Sequence, residues 1–297
     1  MLSLLAASGV AEPIYWENLG LRPYLFEIGG FQLRFYSLAY LLGILFAYWH
    51  LSKMIKAPGA PMAQRHADDL FFYCTLGVIL GGRIGYAAFY KPELFASADV
   101  FKLWEGGMSF HGGVIGVLVA ISWVAWRGGL NWLRICDYIS VNVPVAYMLG
   151  RLANFINAEL WGRPSDLPWA VQFPGAAAQD CGQAIGEICA RHPSQLYEAL
   201  LEGALLGAAL LWLVYRRGAL HHPGRVLGVF LAGYGAARFI VEFFRQPDAQ
   251  FVTPGNPLGL AIELNGWGLT MGQLLSLPMI ALGLWFVIRS RARTAQA

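Results

Sequence analysis

Residues 226–245 read VLGVFLAGYGAARFIVEFFR. The stretch has the length of a membrane-crossing helix, since about 20 apolar residues cover the ~30 Å of hydrocarbon in a bilayer. It also carries Arg238, Glu242 and Arg245, which such a helix ordinarily excludes. An ionised side chain at mid-depth costs roughly 2.5–3.5 kcal/mol on the insertion scale. Tyr234, Arg238 and Glu242 are four apart and share one face, and Arg245 continues that stripe. The reading therefore has two halves: a helix in lipid, and a polar face that needs a partner, water or an anionic ligand. The plain alternative is an Arg238–Glu242 pair that only satisfies itself, which leaves Tyr234 and Arg245 unexplained.

The rest of the chain agrees with the first half. Of 297 residues 57% are hydrophobic and only 13% are charged, against about 25% charged in a soluble domain. Further spans are expected near 35–52, 70–90, 111–127, 136–156, 195–215 and 270–289, seven in all with 226–245. The expected fold is all-α, a polytopic helical membrane protein, because lipid satisfies no free backbone group. It forms a single integral membrane domain over 1–297, with 157–194 as a periplasmic cap. That loop holds Trp161, Pro164, Pro168, Trp169, Phe173 and Pro174, which suit a rigid segment at headgroup level. Met1–Val10 is apolar but too short to span, and reads as an interfacial segment. One set of loops holds 11 Lys and Arg, the other 7. The richer set belongs inside, so the N-terminus is expected outside and the C-terminus in the cytoplasm.

Net charge is +3, too little for nucleic acid, and no basic run is interleaved with aromatics. H-E-x-x-H, G-x-S-x-G and Walker sequences are missing, so metalloprotease, serine hydrolase and nucleotide chemistry have no support. Cys181 and Cys189 lie in the 157–194 loop, as a disulfide in an oxidising space or as two free thiols.

Four other segments place polar groups at the spans. Arg151, Asn154 and Asn157 recur every three residues at the end of the fourth, with Glu159 and Arg163 beyond. A cation with two amides suits a phosphate and glycerol hydroxyls, although asparagines also join helices. In the second span Arg83 sits in GGRIGY, as an anion contact or as the partner of a carboxylate. The fifth span opens RHPSQLYE at 191–198, and Pro193–Ser194 marks a helix start. Glu198 and Glu202 share its inward face, in structural or catalytic roles, and Glu202 is expected to draw an arginine. His111 stands at the start of the third span between glycines. The positive end of that helix disfavours imidazolium and leaves a neutral ring able to accept a proton.

These runs carry a resemblance. GRLANFINAELWG at 150–162 resembles the signature of the prolipoprotein diacylglyceryl transferase family. FHGG at 110–113, RHPSQLYE at 191–198, GYGAARFIVEFFR at 233–245 and Tyr36 in RFYSLAY support it, over roughly residues 20–290. The resemblance implies a transferase of the bacterial inner membrane. Such an enzyme moves the diacylglyceryl group of phosphatidylglycerol onto the lipobox cysteine of a preprolipoprotein signal peptide. A thioether forms and glycerol phosphate leaves, and the resemblance implies no metal or organic cofactor. It implies Arg151 and Arg238 on the phosphate, with Tyr36, Asn154, Glu159, Gly162, Tyr234 and Glu242 shaping the site and His111 assisting the thiol. The residues themselves add Arg83, Asn157 and Arg245 as substrate contacts. Gly82 and Ser37 depart mildly from the family pattern, and 175–190 is particular to this chain. The competing reading is a lipid or anion transporter using the same arginines, which predicts internal repeats that the sequence does not show.

Overall fold

The computed structural model describes residues 12–103, 106–182, 187–264 and 267–295. The expected interfacial segment Met1–Val10 lies outside them. A short strand β1 (Ile14–Tyr15) and a hairpin, β2 (Tyr24–Ile28) with β3 (Phe31–Arg34), precede α1 (Phe35–Met54). The helices α2 (Gln64–Tyr90), α3 (Phe110–Gly128), α4 (Trp132–Ser140) and α5 (Val143–Ile156) follow. Next come β4 (Val171–Gln172), α6 (Ala176–Gln179) and α7 (Ser194–Glu198), which runs through a π-helical stretch, Ala199–Leu205, into α8 (Leu206–Arg217). The chain closes with α9 (Arg225–Val241), a hairpin of β5 (Ile262–Leu264) and β6 (Trp267–Leu269), and α10 (Met271–Ala295).

Among the described residues six helical stretches are long and apolar enough to cross a membrane. The seventh expected span is α9, whose helix is 17 residues long and ends at Val241 rather than 245. Its last residues turn away because Arg245 bridges to Gly162 instead of continuing the helix. The fourth span is also not one helix. It breaks at Val141–Asn142, where Pro144 occupies the first turn of α5, a position that tolerates its missing N–H. The Asn142 amide donates to the Tyr138 carbonyl at 2.8 Å and meets His50 Nδ1 at 2.6 Å, which fills the break with hydrogen bonds. Large apolar side chains stand exposed along the outer faces, Leu41, Ile84, Val119 and Leu284 each above half-exposed. Such a surface belongs in lipid.

Glycines decide one helix pair. Gly77, Gly81 and Gly85 of α2 face Gly112 and Gly116 of α3, so near that a Cβ on Gly85 would lie 2.7 Å from Gly112 Cα. The two backbones touch with no side chain between them.

The connections sort by length. Residues 55–63, 129–131 and 218–224 are short links at one end of the bundle, where the main apolar core around Leu51, Leu70, Ile135, Leu210 and Val226 also lies. The long connections gather at the other end as a cap. There β1 pairs in parallel with β4, and Trp16 Nε1 donates to the Phe155 carbonyl at 3.0 Å. Arg163 donates to the Leu258 carbonyl at 3.3 Å. Cys181 and Cys189 form a disulfide, closing the alternative left by their spacing. Beside it Arg191, 1% exposed, donates to the carbonyls of Ala178 and Asp180 and to Gln246, and stacks 4.2 Å from the centre of the Trp161 ring.

At the core end, Asp137 is fully buried on α4 and accepts from the amides of Gly224 at 2.7 Å and Leu227 at 2.8 Å. It thereby caps the first turn of α9, the helix that carries Arg238. Asp137→Ala orphans two buried donors and is expected to cost about 2–4 kcal/mol. Thermal unfolding in detergent checks this, and an unchanged midpoint would show that the cap is dispensable.

Candidate active site

The site lies where α5, α7 and α9 meet beneath the cap. Its centre is Glu198, whose side chain is 1% exposed. The Arg151 Nε stands 2.5 Å from Glu198 Oε2, Arg245 Nη1 2.7 Å from Oε1, and Arg238 Nη1 3.2 Å from Oε1. Arg238 Nη2 also reaches Glu242 Oε2 at 2.8 Å, with Arg245 Nε 3.7 Å from that oxygen. The i, i+4 spacing of Arg238 and Glu242 thus makes the pair the sequence suggested, as part of a five-member network. The three arginine side chains are 17–19% exposed, while the two carboxylates are sealed to 7% or less. Within the network the cations are the more exposed members and the anions the more buried. The ion-paired side chains carry three positive charges against two negative ones, an arrangement suited to one more anion.

Hydrogen bonds fix the rim. Arg151 Nη2 donates to the Tyr147 hydroxyl at 2.6 Å, and its guanidinium lies 4.8 Å from the centre of that ring. Tyr234 of α9 packs edge-on against Tyr147 with centroids 5.4 Å apart. Arg151 Nη1 reaches Asn154 Oδ1 at 3.4 Å. The Asn154 amide donates to Glu159 Oε1 at 2.7 Å and that of Asn157 at 3.3 Å. Glu159 can fold back on its own helix because Ala158 and Leu160, on either side, take φ of 54° and 57°. Such left-handed residues without glycine cost roughly 1–3 kcal/mol each and cluster at functional sites. Gln195 of α7 secures the turn by donating to the Glu159 carbonyl at 2.6 Å. Tyr36, at the first turn of α1, is half-exposed, shares a 3.3 Å contact between hydroxyls with Tyr40, and lies within electrostatic reach of Glu159 and Arg151.

Gly162 lets two segments of the cap approach. Its amide donates to the His192 carbonyl at 2.9 Å, and the Arg163 amide donates to the Phe244 carbonyl at 2.9 Å. A Cβ at 162 would meet His192 at 2.8 Å and the Phe244 carbonyl oxygen closer still. Only glycine fits between these backbones, and the bridge sets the place of Arg245. His192 packs on Tyr197 and Phe244, and burial there lowers its imidazole below the ordinary histidine range.

Two expected site residues lie elsewhere. Arg83 is 4% exposed and spends its guanidinium on backbone: Nε donates to the Val100 carbonyl at 2.9 Å, Nη2 to Asp99 at 2.6 Å, and Nη1 to Gly106 and Gly107. It is a clamp on the connection between α2 and α3, not the anion contact or carboxylate partner expected. His111 is exposed in the first turn of α3, with its ring edge-on to Phe110. Among the described residues no hydrogen bond or ion pair joins it to the arginine cluster. Glu202 was expected to draw an arginine; the arginines go to Glu198 and Glu242 instead. Tyr147 was not singled out in the sequence, although its position four residues before Arg151 places it on the same helix face.

With this geometry in hand, the comparisons with known proteins are specific. A family model described as prolipoprotein diacylglyceryl transferase matches residues 23–289. A protein of Erythrobacter litoralis is 57% identical over 287 residues, covering 97% of this chain and 95% of its own. One of Ruegeria pomeroyi is 58% identical, covering 92% and 96%. One of Vibrio parahaemolyticus is 43% identical, covering 92% of each chain. All three are named phosphatidylglycerol–prolipoprotein diacylglyceryl transferase.

Proposed function

Because the chain belongs to the prolipoprotein diacylglyceryl transferase family, we propose that its arginine–glutamate cluster holds the phosphate of phosphatidylglycerol while the diacylglyceryl group passes to a cysteine thiol. The acceptor is the lipobox cysteine of a preprolipoprotein signal peptide. This chain is a transferase of lipoprotein biosynthesis and a multi-pass membrane protein, and the transporter reading has no support. We place it in the bacterial inner membrane with the N-terminus and the cap in the periplasm and the C-terminus in the cytoplasm, on the bias of Lys and Arg toward the short connections. It works as one membrane domain with residues 157–194 as part of the cap.

The observation that carries the proposal is the charge balance: three partly exposed guanidinium groups against two buried carboxylates. In the transfer, the bond from the glyceryl carbon to the phosphate oxygen breaks and a C–S bond forms. The bond electrons leave with glycerol phosphate, and the thiol gives up its proton. Negative charge grows on the departing phosphate, where Arg151 and Arg238, both largely shielded from solvent, act more strongly than they would in water. The two guanidinium groups are held in place by Glu198, Glu242 and Tyr147, so little reorganisation is needed as charge develops. Asn154, Asn157, Glu159, Tyr36 and Tyr234 offer hydrogen bonds and surface to the headgroup and glycerol. Arg245 closes the third side.

A thiol is a weak nucleophile until it loses its proton. We assign that proton to His111, whose ring stands open at the positive end of α3. The test is to incubate the protein with phosphatidylglycerol vesicles and a lipobox peptide and to look for the diacylglyceryl mass on cysteine. Its absence with folded protein would sink the reading. His111→Gln is expected to lower turnover by about 10²-fold or more with lipid binding retained. Unchanged turnover would remove His111 from the role.

A further inference from the structure

Glu202 is the one buried acid near the site that the mechanism leaves unused. It lies in the π-helical stretch after α7, one turn beyond Glu198, and is 0% exposed. Wide turns of this kind recur at functional sites. Neither of its carboxylate oxygens has an ion pair among the described residues, and the side-chain donor within reach of it is the Tyr147 hydroxyl. The groups that face it are Glu198 from α7, Tyr147 and Arg151 from α5, and Tyr234 and Arg238 from α9. Two arginines are thus near, yet both point their short contacts at Glu198 and Glu242. The Tyr147 hydroxyl already accepts from Arg151.

An ionised carboxylate sealed from water needs close cationic partners or several donors. Glu202 has no cation in contact and the Tyr147 hydroxyl as its one near donor among the described residues, and Glu198 one turn away adds like-charge repulsion. We propose that Glu202 stands as the neutral carboxylic acid beneath the cluster, so that the site keeps one uncompensated guanidinium charge for a singly charged phosphodiester headgroup. Were it ionised, the cluster would hold three positive and three negative charges and offer an incoming anion no net attraction. Glu202 touches none of the arginines; its part is to withhold a counter-charge. The inference rests on the phosphate reading of the cluster.

Infrared spectroscopy on the full-length protein in detergent, without substrate, is the direct test. The wild type is expected to show the carbonyl band of a protonated carboxylic acid, lost in Glu202→Gln and shifted in Glu202→Asp. Glutamine copies the shape and neutrality of the acid, so the KM for phosphatidylglycerol in Glu202→Gln should stay within about threefold of wild type. A missing band, a band unchanged in both variants, or a folded Glu202→Gln enzyme with turnover down more than about tenfold would overturn the proposal. The band is read without lipid, so its failure is distinct from that of the phosphate reading, which falls if Arg151→Ala and Arg238→Ala keep full turnover.

Discussion

Arg238→Ala is expected to leave a folded protein that makes almost no thioether. Among the described residues Arg238 is the arginine with contacts under 3.5 Å to both Glu198 and Glu242. In the proposed reaction its guanidinium meets the charge that develops on the departing phosphate. Removing one such preorganised donor typically costs about 2.7–4 kcal/mol in the transition state, a 10²–10³-fold loss of kcat. Glu198 keeps Arg151 and Arg245 at 2.5 and 2.7 Å, while Glu242 is left with Arg245 Nε at 3.7 Å, so the unfolding midpoint should fall but the protein should stay folded. Arg238→Lys should recover only part of the rate, because an ammonium cannot reach two acids in the planar fork of a guanidinium. Mass analysis of the lipobox peptide at matched protein concentration is the measurement. Near-wild-type product from Arg238→Ala would reject the phosphate-binding role.

Glu198→Ala should act on the other side of the balance, through stability. Three guanidinium groups converge on this carboxylate, and among the described residues it is the contact that ties α5, α7 and α9 together through charge. Without it, Arg238 and Arg245 keep Glu242 while Arg151 loses its acid. Breaking a buried pair by removing one partner costs about 3–5 kcal/mol, because the remaining charge stays uncompensated. The midpoint of thermal unfolding should fall accordingly, and activity with it. Glu198→Gln should lose less stability, since an amide oxygen still accepts from Arg245. A midpoint within error of wild type for the alanine variant would mean that water, not Glu198, satisfies the arginines.

The pattern of these residues shows what a single sequence discloses. Faces within one helix were legible: the fourfold spacing of Tyr234, Arg238 and Glu242 gave a stripe, and the structure uses it as a stripe. Which faces meet was not legible, because that depends on helix rotation and crossing. Glu198 and Glu202 looked equivalent as acids on one helix, and only packing gave all the arginines to the first. Arg83 looked like its two counterparts in α5 and α9, but its neighbours are carbonyls of the connection it clamps. The break at Val141–Asn142 was hidden because both halves are apolar and a proline in a first turn reads the same whether a helix begins or continues. The two-stranded hairpins at 24–34 and 262–269 were missed because their strands run only three to five residues, too short for alternation to show against an apolar background.

The order of these partners along the chain has a consequence for how the molecule is made. Arg151 is synthesised well before Glu198, and Glu198 before Arg238, Glu242 and Arg245. A nascent chain that has threaded α5 into the bilayer therefore carries a guanidinium whose acid has not left the ribosome. Such a group is costly in hydrocarbon, so that helix should stay shallow or sheltered by the insertion machinery until the next hairpin arrives. The last lock closes only when Arg245 docks beside Gly162, which makes the competence of the catalyst a late event of translation.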